Sequence, residues 1–386
     1  KLEEIRVFLE RELLHPNGGF YAALDADTEG EEGKFYVWTE EEIQAALGED
    51  HSIFSAYYEV RSEGNWEGVN VLRVVGDVAV IAAERGITTE QVEAVLSNCR
   101  KRLLALREKR IRPGFDHKIL LGWNALMHAA CSLAYRATGE ASWHRLAERN
   151  MDFLMENLRD EDGRWIHVCT DGKKQGRAFL DDRAYLIRAM FEWHAATGEW
   201  RWMVQARDLL ADTIEHFGDP DSPLFFYTEL NASDVILRKK EIYDGALPSP
   251  NAVMAENLLR LGVVFDRVDW QERSEQMVAA LGQALVRYPG SFGYWCRVLT
   301  TQVQGLTEVA IFGPGASEWM KVAGKVYLPG SVYLVMYTPV SGSVRFAETA
   351  HFERTSVQIC RKTTCLPPVN SPNELLISLK NVYFPE

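Results

Sequence analysis

The sequence predicts an α-dominated protein of the α/α toroid class, a ring of helical hairpins. The ring is expected to be incomplete at the N-terminus and followed by a small α/β lobe. Three observations carry this expectation. Helices with one wet face alternate with helices that are apolar nearly all round; the joint between them recurs at a fixed spacing; and the chain changes character near residue 305. The expected division is therefore a toroid over 1–304 and a lobe over 305–386.

In chain order, "LEEIRVFLERELL" is an amphipathic helix that leads into the turn "NGGFY" and has no inner partner before it. Helices that should precede it are therefore expected to be missing. A long amphipathic stretch, "TTEQVEAVLSNCRKRLLALREKR" over 88–110, precedes the first inner helix, "KILLGWNALMHAACSLAYRA" over 118–137. Then "ASWHRLAERNMDFLMEN" (141–157) sets Trp143, Ala147, Met151 and Leu154 on one stripe against charged residues on the other. The next inner helix is "DDRAYLIRAMFEWHAA" (181–196) and its outer partner "WRWMVQARDLLADTIEH" (200–216). A third pair reads "PNAVMAENLLRLGVVF" (250–265) and "WQERSEQMVAALGQALV" (270–286).

The joints "ATGEASWHRLA" and "ATGEWRWMVQA" align Thr138 on Thr197 and Trp143 on Trp202, 59 residues apart in both cases. Hairpins at such a period mean an α/α solenoid or its closed form. In the tail, "TEVAIFG", "SVYLVMYT" and "TSVQIC" read as strands, with "SEWMKVAG" and "PNELLISLK" as helices.

Composition narrows the function classes. The chain has 386 residues, 47% of them hydrophobic, and a net charge of −13. That charge disfavours nucleic acid and anionic membrane as partners, and no apolar run approaches the roughly 20 residues needed to span a bilayer. The six cysteines are few and mostly scattered, which suits a reducing, cytoplasmic setting. Cys360 and Cys365 in "CRKTTC" match neither a redox CxxC nor a zinc knuckle and read as two packed thiols. "FGPGAS" is not a nucleotide fingerprint, and no cofactor or metal is expected.

The chemistry is expected where inner helices begin, because their free N–H groups face one mouth of the ring. Asp116, His117, Trp123 and Asn124 stand at the first start, Asp181, Asp182 and Tyr185 at the second, and Asp244, Ser249 and Asn251 at the third. Acids and amides that take hydroxyls, beside rings that stack on a pyranose face, suit a small carbohydrate. Each of these acids also fits an ordinary N-cap, and only the adjacent pair Asp181-Asp182 exceeds what one cap requires. Asn124 and His128, four residues apart, form a polar stripe inside the ring.

The stretch "GGFYAALDADTEGEEGKFYVWTEEEI" holds Asp25 and Asp27 in an acidic loop flanked by Trp38 and other aromatics. Asp25, Asp27 and Glu29 mimic the start of a calcium-binding loop, but Tyr36 occupies the place of its bidentate Glu, so calcium is rejected. Thr39 and Glu42 form a capping box. The loop is either a lip over the pocket or a solvated acidic turn.

That stretch, with "GNWEGVNVL", "DHKILLGWNALM", "FLDDRAYL", "DGALPSPNAV" and "CRKTTCLPPVNSPNEL", resembles the bacterial YyaL-type family and the related animal spermatogenesis-associated thioredoxin-like proteins. The resemblance implies an (α/α)6 toroid akin to N-acylglucosamine 2-epimerases and cellobiose epimerases. It also implies a thioredoxin-like partner domain in the full-length protein. Asp182, Asn124 and Asn251 match the family pattern, whereas His117, Arg183 and Pro250 depart from it.

Two chemistries and one alternative stay open. Epimerisation needs a base and an acid on opposite faces of C2, for which His117 and His128 are candidates. Hydrolysis needs two carboxylates at a set separation, with Asp181 or Asp182 facing Asp25 or Asp27. The alternative is a non-catalytic carbohydrate- or protein-binding module working with the thioredoxin-like domain.

Overall fold

The computed structural model describes the chain except for residues 233–234, 341–344, 347–349, 363, 370 and 384–386. Its contacts divide it into two compact units, Lys1–Ala22 with His117–Glu386, and Ala23–Asp116.

The chain begins with α1 (Leu2–Glu12), amphipathic as expected, with Leu9 buried. It then enters the smaller unit, which is built from β1 (Ala23–Leu24), β2 (Asp27–Thr28), β3 (Glu31–Glu32), α2 (Glu40–Leu47), α3 (His51–Tyr58), α4 (Val78–Arg85), α5 (Thr89–Arg107) and β4 (Phe115–Asp116). Its four helices share a core of Trp38, Ile43, Leu47, Phe54, Leu96 and Leu103. Strands β2 and β3 form a hairpin whose two central residues, Glu29 and Gly30, both have positive φ (56° and 79°), the geometry of a tight two-residue turn. Thr39 and Glu42 cap α2 reciprocally, as their spacing predicts.

The larger unit holds the helical hairpins. Strand β5 (Lys118–Leu120) leads into α6 (Leu121–Thr138) and α7 (Ala141–Asn157); β6 (Ile166–Thr170) and β7 (Lys173–Arg177) lead into α8 (Leu180–Thr197) and α9 (Trp200–Phe217). After β8 (Gly218–Asp219) and β9 (Ser222–Phe225) come α10 (Pro250–Val264), α11 (Val268–Ala279), α12 (Gly282–Arg287) and α13 (Gly293–Gln304). Inner helices α6, α8, α10 and α13 neighbour one another in series, and α7, α9 and α11 back them. This is the expected α/α hairpin array, open and not closed into a ring among the described residues. All fifteen residues of α10 are buried, which is why that helix shows no polar face.

The repeated joint has a repeated geometry. Thr138 and Thr197 each donate to the carbonyl four residues back and accept the N–H of Glu140 or Glu199. Gly139 and Gly198 end the inner helices at φ 73° and 74°.

Two expectations differ locally. Residues 118–120 are not helical; they pair with Thr170, Cys169 and Val168 of β6, a partner distant in the chain. The helix expected over 270–286 breaks after Ala279, beside Gly282.

The C-terminal lobe follows in the same unit: β10 (Thr307–Phe312), α14 (Ala316–Ala323), β11 (Ser331–Met336), β12 (Ser356–Arg361), β13 (Thr364–Cys365) and α15 (Pro372–Tyr383). Its sheet runs β11-β10-β12-β13, with β10 and β11 parallel and crossed by α14. Here the packed-thiol reading of the sequence is corrected. Cys360 and Cys365 stand directly opposite across the β12–β13 pairing and are joined as a disulfide. Strand register, which spacing alone does not reveal, brought them together.

Candidate functional site

The starts of α6, α8 and α10 converge on a cluster of acids, and the two adjacent acids of α8 have opposite fates. Asp182 is 1% exposed. Its Oδ1 accepts the N–H of Gly122 at 2.8 Å, and its Oδ2 accepts the N–H of Phe179 at 2.9 Å and Nδ1–H of His167 at 2.7 Å. The Phe179 bond is the N-terminal cap of α8, and the Gly122 bond ties α8 to α6. A Cβ at residue 122 would stand 3.0 Å from Asp182 Oδ1, so glycine leaves room for that approach.

Asp181 is half-buried and holds no such backbone network beyond the N–H of Asp182. Burial first, and then the neighbouring Asp182 charge, push its pKa up to about 6, against a hydrogen bond from Tyr227 that lowers it. Tyr227 is itself raised, by burial and by the two acids. His167 is raised by its hydrogen bond to Asp182, against partial burial. Phe179 stacks on Tyr227 at 5.0 Å with His167 edge-on at 4.9 Å, giving Asp181 an aromatic platform.

Tyr185 is buried, donates to the carbonyl of Pro248 at 2.6 Å and is raised mainly by burial. Asp244 Oδ1 accepts the N–H of Ser249 within its own loop, and Oδ2 that of Tyr294 in the first turn of α13, each at 2.7 Å. Ser249 caps α10 ahead of Pro250.

The remaining expected residues are distributed as follows. Asn124 brackets the backbone of Phe20, accepting its N–H at 2.7 Å and donating to its carbonyl at 3.0 Å. Asn251 does the same to Phe225, at 2.8 and 3.0 Å. Both amides thereby stitch an inner helix to the aromatic turn that follows an outer one. His128 is fully buried, bonded to the carbonyl of Ala147 at 3.1 Å, and burial holds its pKa down at about 3. It is core material. Trp123 is 46% exposed. His117 packs against Tyr21 and meets Asp171 at 3.1 Å.

Asp25, Asp27, Trp38 and Asp116 belong to the smaller unit. Asp25 and Asp27 are exposed, and Asp27 lies opposite Glu32 in the hairpin. Asp116 pairs with Ala23. Trp38 is buried beneath the Arg110 guanidinium, 4.0 Å from the ring centre. The hairpin acids Glu29 and Glu31, with Lys34, Trp66 and Glu67, line a groove of about 710 Å³.

Sequence reasoning missed His167 and Tyr227. Both lie outside the inner helix starts, His167 in β6 and Tyr227 just after β9, and no local pattern in the chain marks them. Among the described residues no group of three or more His, Cys, Asp or Glu side chains is placed to hold a metal ion, and no helix is long and apolar enough to cross a membrane.

No family model matches the chain. Among solved structures, a sugar epimerase from a ruminal bacterium is 15% identical with a TM-score of 0.38, covering 73% of this chain and 71% of that one. Cellobiose 2-epimerase from Bacillus thermoamylovorans is 11% identical at 0.37, covering 72% and 68%. Nothing about this chain's site follows from likenesses at that level. Among curated proteins, spermatogenesis-associated protein 20 of Mus musculus is 29% identical over 95% of this chain and 52% of its own length. The Homo sapiens protein of that name is 27% identical over 95% and 53%. The motif resemblance is thus borne out: the chain is similar to spermatogenesis-associated protein 20 over 95% of its length, and it spans about half the length of those relatives.

Proposed function

We propose that this chain is a sugar-active enzyme of the proton-transfer kind, an epimerase or isomerase of a small reducing sugar, with Asp181 and His167 as the acid and base. One group withdraws the proton from the carbon beside the carbonyl, and the other delivers a proton to the opposite face, so the sugar keeps its composition. The observation that supports this reading is the contrast within the α8 pair. Asp182 is consumed by two backbone N–H groups and His167, while Asp181 is left with a pKa of about 6, close to working pH. The platform of Phe179 and Tyr227 suits a pyranose face.

Hydrolysis is less favoured within the larger unit. It needs a second carboxylate free to act, and both Asp182 and Asp244 are tied up by backbone donors. The thioredoxin-like partner implied by the motif resemblance remains part of the proposal, as does a cytoplasmic location.

The test is deuterium uptake at C2, followed by proton NMR, for a panel of aldohexoses and N-acylhexosamines in D2O. Uptake with one sugar, lost in Asp181→Asn and His167→Gln, supports the reading. Saturable binding without uptake moves the assignment to the binding-module alternative, and neither binding nor uptake overturns it.

A further inference from the structure

A second charged site lies deeper along the inner helices. Four guanidinium groups, Arg136 on α6, Arg188 on α8, Arg260 on α10 and Arg297 on α13, surround two carboxylates, Glu192 and Glu256. Glu192 accepts from Arg136 at 2.7 Å and from Arg260 at 3.1 Å. Glu256 takes Arg260 at 2.9 Å, Arg297 and the hydroxyl of Tyr294. Burial alone would raise both acids, yet the arginines hold both below the ordinary carboxylate range. Every carboxylate oxygen is therefore occupied, by three arginines and a phenol.

Arg188 is left over. It is partly buried over the ring of Tyr294, its Nε is buried without a partner, and it makes no hydrogen bond among the described residues. The Nε atoms of Arg136 and Arg260 are likewise buried and unpaired. A guanidinium keeps its proton, so four of them against two carboxylates leave an excess of two positive charges, which solvent reaches in part at Arg297 and which an anion in the cavity would neutralise. These arginines line a cavity of about 390 Å³, closed on one side by the 324–331 segment of the C-terminal lobe, which adds Lys325. That volume suits a sugar-sized ligand. The site stands seven residues from Asp181 along α8, roughly 10 Å of helix.

We infer that this cavity binds the anionic group, carboxylate or phosphate, of a sugar-sized molecule, with Arg188 as the direct ligand and Arg297 and Lys325 beside it. The guanidinium fork matches two oxygens of either group. The inference is independent of the reaction assigned to Asp181, because the charges that would attract the anion are not those of the helix starts.

Calorimetric titration of the folded chain with glucuronate, glucose 6-phosphate and inorganic phosphate tests it, with glucose and equal ionic strength of sodium chloride as controls. Saturable binding of an anionic probe is expected, weakened at least ~10-fold in Arg188→Gln and less in Arg188→Lys, which keeps the charge but loses the fork. Glucuronate binding alone marks a carboxylate ligand; binding of the phosphate probes marks a phosphorylated one. No saturable binding of any anionic probe up to ~10 mM overturns the inference, as does undiminished affinity in an Arg188→Gln variant whose circular dichroism matches the parent. Binding of neutral glucose that survives Arg188→Gln concerns the Asp181 site, so the two proposals fail separately.

Discussion

Asp181 and Asp182 are neighbours in the chain and differ in almost every contact they make. Asp182 is a structural acid. Removing its charge in Asp182→Asn is expected to lower the pKa of His167, whose elevation comes chiefly from that carboxylate, and to weaken the cap of α8 by ~1–2 kcal/mol. Histidine C–H chemical shifts against pH read the first effect, and an unmoved His167 midpoint would break the assignment. Asp181 carries the opposite signature. Its pKa is higher in the folded chain than in an open one, so the folded state holds a proton through the window from about 4 to about 6. Stability conferred below that window is lost as pH rises through it. Asp181→Asn should then be more stable than the parent by ~1–2 kcal/mol at pH 8 and no more stable below pH ~4, while losing deuterium exchange. Urea denaturation at the two pH values decides; an equal gain at both would point to a cause other than ionisation. Neither contrast was legible in "FLDDRAYL", because the two acids differ only in what the fold brings to them, namely Gly122 and His167 for one and Tyr227 for the other.

At the scale of the element, the repeated "ATGE" joint offers a controlled pair. Gly139 and Gly198 have the same backbone conformation, but a Cβ at 139 meets open space and one at 198 would stand 2.4 Å from the ring of Tyr337. Gly139→Ala is expected to cost ~1–2 kcal/mol for the left-handed conformation alone. Gly198→Ala adds ~1–3 kcal/mol for displacing Tyr337, whose hydroxyl donates to the carbonyl of Thr197. Equal losses in denaturant melts would show that the ring moves aside freely. The joint was legible because its hydrogen bonds are local, within four residues. The strand at 118–120 was not, because its partner lies fifty residues on. The Arg188 cluster left a trace that went unread: Arg188 with Glu192, and Glu256 with Arg260, are charges four apart inside helices otherwise apolar all round.

For the whole molecule, two histidines tie the helical array to pH. His128 and His194 are fully buried, and burial holds them near 3 and 4, well under the 6.5 of an exposed imidazole. In the unfolded chain both would protonate below about 6.5, so the unfolded state binds up to two more protons there. Stability is full above 6.5 and falls on acidification toward pH 4, by about 1.4 kcal/mol per pH unit for each histidine. His128→Gln should reduce the slope of stability against pH between 6 and 4.5 by about one proton, measured by denaturant melts across that range. An unchanged slope would mean that His128 is protonated in the folded chain.

The sequence by itself determined the alternation of inner and outer helices, the recurring joint, the cap at Thr39 and the strand-rich tail. All of these rest on periodicity or on contacts within a few residues. Only the tertiary structure decided which polar residues are free. Asn124, Asn251, His128 and Asp182 looked like site residues because polar groups inside an apolar helix must be there for a reason, and the reason proved to be pairing with backbone that the fold delivers from elsewhere. Register joined Cys360 to Cys365, and four separate helices brought together the arginines around Glu192 and Glu256. Charge balance in a buried cluster is a sum over distant segments, and no local pattern in the chain records it.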